Sequence, residues 1–434
     1  MKTIIHTLKA IILIACIIAL SSEQGLGDKP QTNNNLQRHA AVGFSIGTKG
    51  YIGTGVNSVY LKDFWEYDPS TDSWTQKADF GGIARFFAVG FSIGTKGYIG
   101  TGCNNSGVLK DFWEYNPTSN KWTQKADFGG AARGAATGFS IGSLGYIGTG
   151  QGGIQGDNLQ DFWGYNPTSN LWSRKTDFPG IPRYAAVGFC IGSKGYLGTG
   201  INYVNSTTYT WYKDFYEYDP GTDSWTKKAD FGGTARAFAV GFSINNIKGY
   251  IGTGNSGEGR KNDFWEYIPS ETGGTWTQKA DFAGTKRDDA VGFGIGTNGY
   301  IGTGYIPPST YLKDFWAYNQ STNAWTQKTD FGSKHTGKPL KDALAAGETD
   351  QPGTIKLIVY PNPSNSAFNF RLNTTSDELV TIQIFDMMGK LIQKNKSLSP
   401  SDIMTIGDNL SAGVYIAVIT QGECRKTVKL SKVN

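Results

Sequence analysis

The chain has 434 residues, room for two or three domains, with 59 glycines, 12 tryptophans and only four cysteines. Its net charge of +5 comes from the ends: residues 1–21 carry two lysines, and residues 354–434 hold nine Lys and Arg against six Asp and Glu. That leaves 30 against 30 for residues 22–353. A balanced body exerts no general pull on nucleic acid or anionic membranes, and three widely spaced cysteines beyond residue 21 imply no disulfide framework.

Residues 1–21 read as a secretory signal peptide: Lys2 and Lys9, an apolar run from Ala10 to Leu20, and a small-residue site at Ala19-Leu20-Ser21. The run is too short to span a membrane as a mature segment. Leu13-Ile14-Ala15-Cys16 fits a lipoprotein box, but the apolar run continues past Cys16. Residues 22–37 are a polar, Asn-rich leader.

From Arg38 to Phe331 one unit recurs six times. Its Tyr-Ile/Leu-Gly-Thr-Gly element begins at Tyr51, Tyr98, Tyr146, Tyr196, Tyr250 and Tyr300, a period near 50 residues. Each copy predicts four short strands, of the types Ala-Val-Gly-Phe-Ser-Ile, Gly-Tyr-Ile-Gly-Thr-Gly, Asp-Phe-Trp-Glu-Tyr and Trp-Thr-Gln-Lys-Ala-Asp-Phe. Aromatic and β-branched residues fill the runs, and Gly, Asn, Pro, Ser and Asp fill the gaps. One such four-stranded unit cannot bury both faces; six in a ring bury a continuous core. The predicted fold is all-β: a six-bladed β-propeller over 38–331, a linker over 332–353, and a small Ig-like β-sandwich over 354–434. The blades are contiguous in sequence, with the leader available to pair at the closing edge.

The repeat resembles the Kelch family of propellers. The features that carry this are the Arg opening each copy, the Gly-rich end of strand two, the Tyr of Asp-Phe-Trp-Glu-Tyr, and Trp74, Trp122, Trp172, Trp225, Trp276 and Trp325 at the start of strand four. The second strand departs from the pattern, ending in Gly-Thr-Gly rather than two adjacent glycines. The six tryptophans and the Asp-Phe pairs read as core.

The copies differ mainly in the strand two to strand three inserts and in the residues just after Arg38, Arg85, Arg133, Arg183, Arg236 and Arg287. In an antiparallel blade both features emerge at the same end. Each arginine either ties down the inter-blade loop through Asp or carbonyl groups, or belongs to a ring that binds an acidic ligand. The candidate ligand-binding set is these six arginines with His39, Phe86, Tyr184, Tyr209, Trp211 and Tyr212. Exposed aromatics beside Asn and Ser suit sugar or protein ligands. Catalysis has little support: His39 and His335 are the only histidines after residue 21, no spacing resembles a metal site, and no cofactor is implied. Asp288-Asp289 is the one candidate for acid–base work.

The C-terminal segment resembles the type A sorting domain of the type IX secretion system of Bacteroidetes. The matching residues are Tyr360, Pro361, Asn362 and Pro363, then Asp386, Gly389 and Lys390, then Gly413, Tyr415 and Lys429. The resemblance implies export through the periplasm to the outer surface or the medium, with the secretion machinery as a partner. The expected function is a secreted or surface binding module for a glycan or an extracellular protein. The alternatives are a sugar-modifying enzyme, as implied by six-bladed Kelch proteins that act on sialic acid, and a structural surface-layer component.

Overall fold

The computed structural model describes residues 36–153, 157–205 and 208–333, and, nearer the C-terminus, 356–360, 362, 364–373, 379–386, 390–398, 404–421 and 424–433. The expected signal peptide, the expected leader up to residue 35 and the expected linker from residue 334 lie outside them. The chain divides into two compact units, Met1–Thr336 and Gly337–Asn434.

The first unit contains six four-stranded antiparallel sheets, each built from consecutive strands of one copy. Blade one is Val42–Ile46, Lys49–Gly53, Phe64–Asp68 and Ser73–Gln76. The six first strands pack one on the next in a closed circuit that returns from Val291–Ile295 to Val42–Ile46. This is the predicted six-bladed propeller. The first strand begins at Val42, so Arg38 lies in the loop before it rather than within it.

Blades interlock through an aromatic-into-glycine contact. The first-strand Phe of each blade lies over the Gly before the Tyr of the next. A Cβ on Gly97 would sit 2.6 Å from the ring of Phe44, and one on Gly50 would sit 2.4 Å from the ring of Phe293, so a side chain at either position would separate two blades. Further out, each strand-four tryptophan packs edge-on against two Phe rings of the preceding blade, as Trp122 does on Phe64 and Phe80. Its indole Nε1 donates to a carbonyl of that blade, from Trp122 to Ala78 and, across the closure, from Trp74 to Thr329.

Two rings of backbone hydrogen bonds hold the blades at their inner ends. The amides of Gly55, Gly102, Gly150, Gly200, Gly254 and Gly304 donate to the carbonyls of the arginines one blade on, the last returning to Arg38, over 2.7 to 2.9 Å. The Gly-Thr-Gly turn makes this possible. Thr54 has φ +59° and Gly55 φ +94°, and a Cβ on Gly55 would meet the His39 carbonyl oxygen at 2.8 Å, so glycine is required there. Nearer the axis, the residue two after each arginine donates to its counterpart in the preceding blade. Ala40 to Asp289, Asp289 to Phe238, Phe238 to Ala185, Ala185 to Ala135, Ala135 to Phe87 and Phe87 to Ala40 form a closed cycle of 2.9 to 3.1 Å bonds. All six adopt the left-handed conformation, φ +49° to +56°.

The arginines correct the ligand-ring expectation. All six are fully buried. Arg85 donates from Nη1 and Nη2 to the two carboxylate oxygens of Asp111 at 2.7 and 2.6 Å, from Nη1 to the Thr101 carbonyl at 2.9 Å, and from Nε to the Ile83 carbonyl at 3.0 Å. Its guanidinium lies over the ring of Phe80, 4.8 Å from the centroid. Asp111 also accepts from the Trp113 indole at 2.8 Å. Arg38, Arg133, Arg183, Arg236 and Arg287 repeat this with Asp63, Asp161, Asp214, Asp263 and Asp314. Burial alone would raise the pKa of Asp63, Asp111, Asp161 and Asp263; the bidentate Arg and the indole outweigh it and hold these carboxyls below the usual range. The arginines tie the inter-blade loop to the next third strand and are buried out of a ligand's reach.

Among the described residues, the C-terminal unit is a sandwich of seven strands in two antiparallel sheets. Three strands (Lys356–Tyr360, Phe368–Asn373, Met404–Ile406) face four (Leu391–Leu398, Val380–Asp386, Gly413–Gln421, Cys424–Lys432). Phe368, Phe370, Ile382, Ile384, Ile419 and Leu430 form the core between them. The predicted β-sandwich is therefore present.

Removing one carboxylate should expose the cost of the buried charge. Asp111→Ala leaves Arg85 buried without its counter-ion and should lower stability by roughly 3–5 kcal/mol in denaturant unfolding. Arg174→Ala, in the exposed pair with Asp177, should leave the midpoint unchanged.

Candidate functional site

Each strand two to strand three insert is a small β-hairpin or turn rather than a free loop, and it pairs with the residue that follows the arginine. The bridges are His39 with Val56, Phe86 with Cys103, Tyr184 with Ile201, Ala237 with Asn255 and Asp288 with Tyr305; in blade three, Arg133–Gly134 pairs with Gln151–Gly152. The variable residues thus form a collar at one end of the channel, as the antiparallel connectivity predicts. The Gly-Thr-Lys-Gly hairpins lie at the other end.

Within the collar the predicted residues separate. Phe86 and Tyr184 are buried and serve as packing: Phe86 stacks on Tyr60, and Tyr184 sits with Ile201 and Ala237 under Tyr203, Tyr209 and Trp211. Tyr212 lies over the Arg183 guanidinium at 4.1 Å and is partly exposed. Tyr209 and Trp211 remain partly exposed on the blade-four hairpin Ile201–Asn205/Thr208–Trp211, with Trp211 against Gly257 of the next insert. These placements correct the grouping of Phe86 and Tyr184 as ligand contacts.

The residues that reach the axis are those of the backbone cycle, of which the candidate site residues included only Asp289. Phe87 and Phe238 belong to opposite blades, two and five, and their rings meet at 5.7 Å. They lie across the axis at this end of the channel. The other cycle positions carry Ala40, Ala135, Ala185 and Asp289.

Beside this pair, blades five, six and one bring together the charged groups. His39 Nδ1 is 3.2 Å from Asp289 Oδ2, across 250 residues of sequence. The imidazole stacks on Tyr305 at 5.1 Å and on Tyr311 at 5.3 Å. Asp288 is 4% exposed, with Oδ2 3.0 Å from Arg260 Nη2. Arg260 stands over the Tyr305 ring at 5.6 Å. Asp288 Oδ1 and Arg260 Nε are buried without hydrogen-bond partners. Burial, and next the charge of Asp289, push the Asp288 carboxyl up to about 7 against the opposing pull of Arg260. Asp288 and Asp289, the two predicted acid–base candidates, thus join His39 and three residues of two inserts, Arg260, Tyr305 and Tyr311. Arg260 was missed because no other copy carries an arginine at that place in its insert. The arrangement can hold a planar, hydroxylated ligand and can move a proton.

In the C-terminal unit, Asn362 accepts from the Ser431 amide at 2.9 Å, Asp386 accepts from the Lys390 amide at 2.9 Å, and Tyr415 donates to the Ser411 carbonyl at 2.9 Å. Gly413 opens the strand Gly413–Gln421. The expected sorting residues Tyr360 and Lys429 lie on strands, whereas Pro361, Pro363 and Gly389 fall outside the described residues.

Residues 358–433 match the family described as the secretion system C-terminal sorting domain. The propeller has the fold of a solved structure, that of YjhT, with a TM-score of 0.56 and 17% identity, covering 68% of this chain and 99% of that one. A segment is 23% identical over 193 residues to the ulvan lyase NLR42 of Nonlabens ulvanivorans. That match takes in 40% of this chain and spans about a third of the relative, 34% of its length. The chain is a cargo of type IX secretion, exported to the cell surface or the extracellular space.

Two outcomes follow. Deleting 354–434 should leave the protein in the periplasm, as read by cell fractionation; normal surface delivery of the truncated chain would contradict the sorting role. For Asp288, the folded-state value of about 7 lies above the ordinary 3.8, so its contribution to stability is present at low pH and is lost as pH rises from about 4 to about 7. Asp288→Asn should therefore unfold at a higher temperature than wild type at pH 8 and at the same temperature near pH 4.

Proposed function

We propose that the propeller is an extracellular carbohydrate-recognition module whose ligand sits on the collar, over Phe87 and Phe238 and beside His39, Tyr305, Tyr311 and Arg260. One observation carries the reading: a stacked aromatic platform and a cluster of four charged or titratable side chains occur at the same end of the channel. A pyranose offers one flat C–H face and a rim of hydroxyls. Aromatic rings take up the first at little entropic cost, and carboxylates, arginine and imidazole bond to the second.

The copies argue that this platform is not needed for folding. The backbone cycle accepts Ala at positions 40, 135 and 185, so Phe87 and Phe238 exceed what the ring requires. The places of His39, Asp288 and Arg260 likewise carry different residues in the other blades. Export to a surface where polysaccharide is met, and partial similarity to an ulvan lyase, favour a sugar over a protein ligand.

The test is a glycan-binding screen on the full chain. Phe87→Ala with Phe238→Ala should weaken binding by roughly 2 kcal/mol, about thirtyfold, with a small change in unfolding midpoint. Lys96→Ala, in a Gly-Thr-Lys-Gly hairpin at the far end, should leave affinity intact. Binding lost in the lysine variant and kept in the phenylalanine pair would move the ligand to the other end.

A further inference from the structure

We propose that blade three carries a carboxylate-binding site on its second to fourth strands, where Tyr146 and Lys175 stand beside Gly164, and that it takes an alkyl carboxylate, the group that ends a glutamate side chain. The site uses none of the collar residues.

The repeat shows what belongs in this place. In blades one, two, four and five the tyrosine of strand two faces a glutamate of strand three. Tyr51, Tyr98, Tyr196 and Tyr250 donate to Glu66, Glu114, Glu217 and Glu266 over 2.5 to 2.7 Å. From the end of strand four, Lys77, Lys125, Lys228 and Lys279 bring Nζ to 3.3 to 3.8 Å from the same carboxylates. Each acid is thus met by one phenol and one ammonium, both favouring its charged form.

Blade three keeps the phenol and the ammonium without the acid. Tyr146 pairs with Gly164 in the register that sets Tyr51 opposite Glu66, and Lys175 ends the fourth strand, Leu171–Lys175. A Cβ on Gly164 would lie 3.3 Å from Cε1 of Tyr146 and 3.0 Å from Cε of Lys175, so both side chains border the place where a glutamate would start. Among the described residues, the Tyr146 hydroxyl and the Lys175 ammonium have no hydrogen-bond or ion-pair partner. Asp223 of blade four is near enough for its charge to act on both. Its Oδ1 accepts from the Tyr218 hydroxyl at 2.6 Å and the Thr176 amide at 3.0 Å, so it offsets the lysine charge but bonds to neither group. Blade six also lacks the acid, yet it fills the gap itself: Ala317 places a methyl opposite Tyr300, and the Asn298 side chain interacts with that tyrosine. Blade three has glycine at 164 and Leu144 in the place of Asn298, and so has neither substitute.

The place admits a slender ligand. The four glutamates that fill it elsewhere keep 6 to 20% of their side chains exposed, so it reaches solvent. Tyr146, which forms its floor, is 1% exposed. A carboxylate on a two-carbon arm reaches that depth, whereas one borne directly on a sugar ring brings the ring against the strands. Propionate is the glutamate side chain detached from its backbone, and it is the natural probe.

The test acetylates the full chain with a limiting amine-reactive reagent and reads Lys175, Lys125 and Lys328 by mass spectrometry, with propionate, a capped Gly-Glu-Gly peptide or galacturonate present. Propionate should slow acetylation of Lys175 in a saturable way and leave Lys125 and Lys328 unchanged. Protection by the peptide at least equal to that by propionate assigns the carboxylate to a partner polypeptide; protection by propionate alone assigns it to a small free acid. Tyr146→Phe should raise the half-protecting propionate concentration about tenfold. Gly164→Glu should protect Lys175 with nothing added, abolish any further effect of propionate and raise the unfolding midpoint. The proposal is overturned by no protection of Lys175 from either acid, by uniform slowing of all three lysines, by protection undiminished in Gly164→Glu, or by equal protection from galacturonate.

Discussion

A guanidinium removed from water must have its donors met. Six times over, the propeller meets that demand with one pattern: both oxygens of an aspartate at the start of the third strand, the carbonyl of the Gly-Thr-Gly threonine, and a carbonyl two residues upstream. Three separate pieces of each blade are pinned to one side chain, which in turn rests on a Phe ring. The same loop then hands its backbone onward. The arginine carbonyl accepts from the preceding blade, and the residue two later joins the cycle at the axis. A buried ion pair adds little net stability over a well-packed apolar substitute, but breaking one is costly. The pattern therefore specifies geometry more than it adds strength.

That fixed geometry is what suits the collar to the role proposed for it. Around a ring of near-identical backbone positions, substitutions place a phenyl, a methyl, an imidazole or a carboxylate with little change to the scaffold. Phe87 and Phe238 meet because blades two and five are opposite, and His39 meets Asp289 because blades six and one are adjacent. The closure is made by the chain segment just before blade one: Arg38 pairs with Leu312, and Leu36 packs against Gly332. Ring closure and assembly of the charged cluster are therefore one event.

Much of this was legible in the sequence. Six copies of an alternating pattern dictate the blades, the antiparallel connectivity puts the variable segments at one end, and the C-terminal strands alternate as a sandwich does. The roles of the arginines were half legible. An Arg and an Asp that recur together in every copy suggest a pair, but position alone cannot say whether a guanidinium faces solvent. The choice between Phe86 and Phe87 was hidden in the backbone: the second residue has φ +52°, which reverses the side chain a simple alternation would assign. Arg260 and the pairing of residues 39 and 289 were invisible because the first has no repeat to reveal it and the second depends on closure of the whole ring.

The proposed function separates an interior ring of arginines from a collar that faces ligand, and a crystal structure of the propeller with a bound oligosaccharide tests that separation. It predicts a sugar ring against Phe87 and Phe238, within reach of His39, Tyr311 and Arg260, with all six buried arginines still paired to their aspartates. A sugar bonded to any of those six, or seated on the Gly-Thr-Lys-Gly hairpins at the far end, would contradict it.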